Sequence, residues 1–177
     1  MTSPLLFQPL TLRGLTVRNR AWLPPMCQYA VDSHDGIPGT WHLVHYGSCA
    51  AGGFGLIVAE ATAVSPEGRI SPADTGLWND DQVAAWRTVT DAVHKLGGKI
   101  AVQLGHAGRK ASTEKWWPGF HGSVVPPEQG GWTPVGPTTA PADGKQYVGL
   151  PVTALDEDGI AKVIDNFRSA AARAVEA

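Results

Sequence analysis

Residues 55–61 are apolar at nearly every position, and this run constrains the fold more than any other feature of the chain. A strand with one solvated face alternates apolar and polar residues, whereas a strand buried on both faces is apolar throughout. The run therefore predicts a strand of a parallel sheet that is covered by helices. Residues 99–105 have the same character apart from Lys99 and Gln103 and predict a second such strand.

Two helices are predicted next to these strands. Thr40 is a suitable N-cap for the first helix, and a pair of glycines ends it. Its inward side chains are expected to be Trp41, Val44, Tyr46 and Cys49. Asn79 and Gln82 form a capping-box pattern at the start of the second helix. Its inward side chains at helical spacing are Val83, Trp86, Val89, Val93 and Leu96.

The ends of the chain add a hairpin, a short strand and a third helix. Residues 7–12 and 15–17 predict a hairpin within residues 6–18, with Gly14 supplying the positive φ of its turn. Residues 20–24 predict a short core strand that two prolines end. Thr153 and Asp156 predict the start of a last helix over residues 153–177. Its inward positions are Ile160, Val163, Phe167, Ala171 and Ala174.

A long loop excursion over residues 109–152 precedes that last helix. It holds half of the prolines and three of the tryptophans, without helical or strand periodicity. A loop of this length in a compact domain usually has a function or covers a site.

The alternation of strands and helices predicts an α/β fold with parallel βαβ units, of which residues 20–105 hold strands 1–3 with helices 1 and 2. A closed (β/α)8 barrel needs eight units, and a three-stranded open sheet leaves both edges unprotected. Residues 1–177 are therefore expected to be the first part of a larger fold that is incomplete on its own.

Composition excludes several classes of partner. The net charge of −2, with no basic cluster, disfavours nucleic acid and anionic membranes. No apolar run approaches the roughly 18 residues of a membrane span, and the first residues lack the pattern of a signal peptide. Two cysteines exclude a disulfide scaffold and suit a reducing compartment, so a cytoplasmic location is expected.

The candidate functional residues follow the predicted strands. Cys27 and Tyr29 belong either to a rigid packed loop or to a ligand site. Gln103 must find hydrogen-bond partners, either backbone groups or the edge of a heterocycle. His42 and His45 have a spacing that a metal site could use, but no complementary ligand accompanies them, so packing or capping is favoured and no metal is expected.

Four motifs occur together in one order along the chain. They are Pro25-Met26-Cys27-Gln28-Tyr29, Trp41-His42-Leu43-Val44-His45-Tyr46-Gly47, the segment from Gly55 through Glu60-Ala61-Thr62 to Val64, and Gln103-Leu104-Gly105-His106-Ala107-Gly108-Arg109-Lys110. Pro66-Glu67-Gly68-Arg69-Ile70-Ser71 lies between the third and the fourth. Over residues 4–177 this set resembles the Old Yellow Enzyme family of flavin-dependent ene-reductases. A Cys in the first motif, where yeast-type members have Thr, points to the thermophilic-like and xenobiotic-reductase branch.

The resemblance implies the N-terminal part of a TIM barrel that holds FMN non-covalently. NADPH or NADH would reduce the flavin, which would then reduce the activated C=C bond of a small α,β-unsaturated carbonyl compound. Carried over by motif, Pro25, Met26 and Cys27 would line the isoalloxazine ring, with Ala61 and Gln103 at its pyrimidine side. Cys27 would tune the flavin and Tyr29 would face the substrate, so these two are the expected catalytic residues.

The same resemblance implies further parts that residues 1–177 do not contain. Family members carry a later substrate-binding His pair with a Tyr, an Arg at the flavin and loops for the FMN phosphate. A second polypeptide is therefore expected to complete the barrel, with a higher oligomer also possible, and activity is expected only in that complex. The alternative is a non-catalytic binding or assembly remnant of a flavin barrel.

Overall fold

The computed structural model describes residues 4–116, 118–119, 123–140 and 151–177. In chain order, the strands are β1 (Leu10–Leu12), β2 (Leu15–Val17), β3 (Trp22–Leu23), β4 (Leu56–Ala63), β5 (Ile100–Gly105), β6 (Val135–Gly136) and β7 (Thr153–Ala154). The helices are α1 (Thr40–Ala51), α2 (Asp80–Lys95) and α3 (Glu157–Glu176).

The central sheet is parallel and has the order β3-β4-β5. Its middle strand β4 is buried along most of its length, with Ile57 and Ala59 almost fully inaccessible. The predicted parallel sheet is therefore present. The pairing of β4 with β5 is irregular at Glu60, because Ala59 pairs with Val102 and Ala61 already pairs with Gln103.

The core lies between this sheet and the helices α1 and α2. Its buried members are Leu23, Tyr46, Ala50, Ile57, Ala59, Leu77, Val83, Trp86, Val89 and Val93. The capping box of α2 is confirmed, since the Asn79 side chain accepts from the Gln82 N–H and the Gln82 side chain accepts from the Asn79 N–H. Leu96 was predicted to face inward, but it lies one residue beyond the end of α2 and is 45% exposed.

The inward face of α1 differs from the prediction. Trp41 and Val44 are exposed, whereas His42, Tyr46 and Ala50 form the buried stripe. The N-cap is Gly39 rather than Thr40. The physical reason is that each of the two buried rings has a hydrogen bond outside the turns of the helix. His42 Nδ1 accepts from the Gly39 N–H, and the Tyr46 hydroxyl bonds to β4.

The terminal elements also correct the predicted boundaries. Residues 7–9 are outside the hairpin, because Leu5–Phe7 forms a 3-10 turn and the first strand begins at Leu10. The positive φ of the hairpin turn belongs to Arg13, at 53°, and not to Gly14. Thr153 does not open the last helix: it lies in β7, parallel to β6, and Asp156 is the N-cap of α3.

The apolar face predicted for α3 is largely exposed in this structure. Ile160 and Phe167 are 50% and 37% exposed, and Ala170 is the buried residue of the helix. Of the described residues, no helix is long and apolar enough to cross a membrane.

Part of the predicted long loop is held onto the segment between β4 and α2 by an arginine that lies between two indoles. The Arg69 guanidinium lies 5.5 Å from the ring of Trp78 and 4.8 Å from that of Trp132. The Trp132 indole also donates to the carbonyl of Glu67 at 2.9 Å. The described loop residues contain 3-10 turns and the strand β6, so this segment has more regular structure than its sequence predicted. Residues 141–150 of the loop lie outside the described residues.

Candidate functional site at the carboxyl ends of the parallel strands

The predicted site residues meet at one edge of the central sheet. β3 runs into the loop that carries Pro25, Met26, Cys27 and Tyr29, β4 carries Ala61, and β5 carries Gln103. Because the strands are parallel, their carboxyl ends lie side by side. Ala61 and Gln103 pair directly in the strand register.

Cys27 is half-buried, and the Tyr29 hydroxyl and the Ala61 N–H favour its thiolate form. Burial raises the pKa of the thiol to about 11, with the negative charges of Asp74 and Glu60 acting in the same direction. The group is therefore a neutral thiol at physiological pH. Because the thiolate is the nucleophilic form of cysteine, this environment disfavours a nucleophilic role.

Tyr29 has an unusual backbone conformation beside that thiol. Its φ is +51°, in the left-handed region that costs a non-glycine residue about 1 kcal/mol or more. Burial raises the pKa of its phenol, as do the nearby Cys27 and Asp74, so the hydroxyl is a neutral donor. The strained turn brings the phenol to the Cys27 sulfur.

Gln103 is exposed at the same edge. Its amide makes no hydrogen bond to any of the described residues, although it stands in a strand that is otherwise apolar. Next to it, a cavity of about 150 Å³ opens between the ends of β4 and β5, lined by Ala61, Gly105, His106 and Asp74 among others. Met26 is 47% exposed and Pro25 is half-buried. These groups leave an accessible surface with an unpaired amide at its rim.

Two buried carboxyl groups stand behind this surface, and sequence reasoning assigned neither a role. Asp74 accepts from the Ile70 N–H at 2.7 Å and from the Ser71 hydroxyl at 2.8 Å, and burial raises its pKa to about 6. Glu60 is 1% exposed. A carboxylate within the apolar run of β4 was the available signal for Glu60; Asp74 lies in a loop where nothing distinguishes it.

The two histidines of α1 make separate contacts within the chain. His42 Nδ1 accepts from the Gly39 N–H at 3.0 Å, as the capping interpretation predicted. His45 stacks on Trp41, with ring centroids 6.1 Å apart. Within the part of the chain that the structure describes, no cluster of three or more metal-ligating side chains occurs.

A family profile described as "NADH:flavin oxidoreductase / NADH oxidase family" matches residues 5–177. The chain belongs to this family. An NADPH dehydrogenase of Listeria monocytogenes serotype 4a is 42% identical over 172 residues, which are 97% of this chain and 45% of that relative. An NADH:flavin oxidoreductase of Gibberella zeae is 41% identical over 177 residues, covering 99% of this chain and 42% of the relative.

Solved structures of the family have the same arrangement. Morphinone reductase superimposes with a TM-score of 0.77 at 35% identity, over 98% of this chain and 45% of its own. The old yellow enzyme homologue from Zymomonas mobilis gives 0.77 at 33% identity, over 98% and 46%. Old Yellow Enzyme from Pichia sp. AKU4542, at 23% identity and a TM-score of 0.80, supports the fold alone.

These likenesses confirm the predicted family and fold class. The chain spans about 45% of the length of the relatives it matches. Its sheet of three parallel strands, with the accompanying helices, corresponds to part of a TIM barrel and does not close within the described residues. The structure brings Cys27, Tyr29, Ala61 and Gln103 to one edge of that sheet.

Proposed function

We propose that the complete protein is an FMN-dependent NAD(P)H oxidoreductase of the ene-reductase type, in which residues 1–177 supply the face that holds the isoalloxazine ring. The coarser part, membership of a family of flavin oxidoreductases, follows from the profile and the relatives. One structural relative is described in complex with tetrahydroNAD, which supports a nicotinamide as the reductant.

The observation that carries the proposal is the unpaired Gln103 amide beside Ala61 and the Cys27 thiol. A flavin ring presents both donors and acceptors at its pyrimidine edge, and an amide is the neutral side chain that offers both. The small Ala61 side chain leaves room for a flat ring, and the exposed Met26 with Pro25 supplies an apolar wall. The residues present therefore fit FMN.

When bound, FMN would supply the hydride chemistry, from the nicotinamide to the β-carbon of an activated alkene. The chain's own groups would position the flavin ring and polarise the substrate. Cys27 remains a neutral thiol beside the ring site, where it acts as a hydrogen-bonding group and not as a nucleophile. Tyr29 remains a neutral phenol, whose single O–H would turn from the Cys27 sulfur to donate to a carbonyl oxygen of the substrate.

The proposed enzyme needs further β/α units next to this part of the barrel. β5 has no strand on its outer side among the described residues, and α3 exposes the large apolar side chains of Ile160, Ile164 and Phe167. An unpaired strand edge and an apolar helix face of this kind suit packing against a neighbouring unit. We propose that a second polypeptide supplies these units, and that the complex works in the cytoplasm, where the free thiols of Cys27 and Cys49 stay reduced.

The test is to purify tagged residues 1–177 with and without coexpression of a polypeptide that carries the later barrel units of the family. We expect the complex to be yellow, to release FMN on denaturation, and to oxidise NADPH or NADH with 2-cyclohexenone as acceptor. Cyclohexene, which lacks the activating carbonyl, is the matched control and should not react. The tagged chain alone should bind FMN weakly and show no turnover.

A colourless complex without flavin would refute the enzyme and support the binding-remnant alternative. Reduction of FMN without reduction of 2-cyclohexenone would support the flavin site but contradict the ene-reductase assignment.

A further inference from the structure

Glu60 is a charged residue at the centre of an apolar strand, and it is almost inaccessible to solvent, at 1% exposure. Burying a carboxylate is costly unless hydrogen-bond donors surround it. The strand register also breaks at this residue, since Ala59 and Ala61 pair with consecutive residues of β5. Such bulges redirect a side chain and are common beside active sites.

The carboxylate joins three separate segments of the chain. Its Oε2 accepts from the Gln28 N–H at 2.8 Å, and its Oε1 accepts from the Tyr46 hydroxyl at 3.1 Å. The same hydroxyl accepts from the Glu60 N–H at 3.0 Å. His42 Nε2 lies 3.3 Å from Oε1 without forming a hydrogen bond to it. One side chain thus connects β4, α1 and the loop after β3.

The loop contact falls between the two predicted catalytic residues. Gln28 separates Cys27 from Tyr29, and Tyr29 has the left-handed φ of +51°. A strained turn persists only where its surroundings fix it. The Gln28 N–H bond to Glu60, at 2.8 Å, fixes the middle of this turn to β4.

We propose that Glu60 is a positioning residue for the flavin site, whose buried carboxylate fixes the Cys27–Tyr29 turn against β4 and α1. The flavin-positioning role rests on the proposed function, because the turn would face the flavin ring. The contacts of Glu60 do not depend on that function, since all of them lie within this chain. Tyr46 is the hydrogen-bonded support of Glu60 on α1.

The decisive variant is Glu60→Gln, which keeps the shape of the side chain and removes its charge. The amide has a single oxygen for the donors of Gln28 and Tyr46, so the turn loses a charge-assisted bond. Tyr46→Phe removes only the α1 support, and Glu128→Gln, on an exposed loop, is the matched control. All variants are compared in the complete assembly, with circular dichroism and the melting temperature recorded for each.

The first readout is the alkylation rate of Cys27 with iodoacetamide, resolved from that of Cys49 by peptide mass spectrometry. Glu60→Gln should accelerate Cys27 on the order of tenfold, the equilibrium equivalent of one hydrogen bond to a charged group. The pH midpoint of the Cys27 reaction should move down, since one of the negative charges that disfavour the thiolate is gone. Cys49 lies on α1, the helix that carries Tyr46, and its rate should stay constant.

The second readout is the midpoint potential of bound FMN, which should become more positive when the buried negative charge is removed. Tyr46→Phe should accelerate the alkylation of Cys27 less than Glu60→Gln does, and it should leave the pH midpoint of that reaction unchanged. If Glu60→Gln does not fold, the proposal is tested with Tyr46→Phe alone. Unchanged Cys27 kinetics in folded Glu60→Gln would overturn the proposal, as would equal acceleration of Cys27 and Cys49. If wild type binds no FMN, the proposed function fails, whereas the Cys27-to-Cys49 ratio still tests Glu60.

Discussion

Replacing Gln103 by Leu separates flavin binding from folding. In the structure the Gln103 side chain is exposed and its amide bonds to none of the described residues, so the substitution breaks no internal contact. The free energy of unfolding should therefore change by no more than about 0.5 kcal/mol. The flavin ring, in contrast, would lose the Gln103 amide as the partner of one of its hydrogen-bond donors and one of its acceptors. That loss costs on the order of 1 to 3 kcal/mol, a roughly tenfold to hundredfold rise in the FMN dissociation constant.

The assay is fluorescence titration of FMN with the flavin-free complete assembly at fixed ionic strength. Gln129→Leu is the matched control, because Gln129 is exposed in a 3-10 turn and is not one of the residues assigned to the flavin ring, and the dissociation constant of this variant should equal that of wild type. Gln103→Asn tests whether the length of the side chain matters for FMN binding, since Asn keeps the amide on a shorter side chain. An unchanged dissociation constant in Gln103→Leu would refute the assignment, and a matching loss of melting temperature would show a structural role instead.

Three further substitutions test the thiol, a helix cap and a buried carboxyl group. Cys27→Ala should shift the flavin midpoint potential and alter rates while turnover stays measurable, because the thiol is neutral at working pH; complete loss of ene-reduction with FMN still bound would contradict a tuning role. Asn79→Ala should lower the free energy of unfolding by about 1 kcal/mol in denaturant titrations, since it removes the acceptor for the Gln82 N–H, and no change would show that the cap is dispensable. Burial raises the folded-state pKa of Asp74 from 3.8 to about 6, so the folded state binds this proton more tightly. Its contribution to stability is fully present below about pH 4 and is lost, by about 3 kcal/mol, as pH rises through 6. Asp74→Asn should flatten that part of the pH–stability curve, and parallel curves would rule out Asp74 as its source.

The parts of the fold that were predictable are those in which a local pattern has a single physical solution. The apolar run of β4 has no solvated face, so only burial between helices accommodates it. Asn79 and Gln82 satisfy backbone groups within their own helix, and the helix begins where they indicate. Neither case depends on residues far away in the chain.

The errors on α1 have the opposite origin. Hydrophobicity placed Trp41 and Val44 inside, but the structure exposes both and buries His42, while Tyr46 is buried as predicted. His42 Nδ1 accepts from the Gly39 N–H, before the helix. A hydropathy pattern contains no information about such a partner, so it ranks a histidine ring as exposed. The same limitation left Glu60 without an assigned role, although its position in an apolar strand was visible.

The candidate site was predictable only as far as parallel topology determines it. Strand ends that share an edge bring Cys27, Ala61 and Gln103 together whatever the details of their side chains. The fine geometry depends on the bulge at Glu60. The burial pattern of β4 is Ala59 and Glu60 inside, Ala61 half-exposed, then Thr62 and Ala63 inside. The extra residue at the bulge lets the Glu60 carboxylate turn toward α1 while Ala61 keeps its place beside Gln103. This change of register follows from the hydrogen-bond donors that α1 and the Gln28 N–H present to the carboxylate, and not from the sequence of β4 itself.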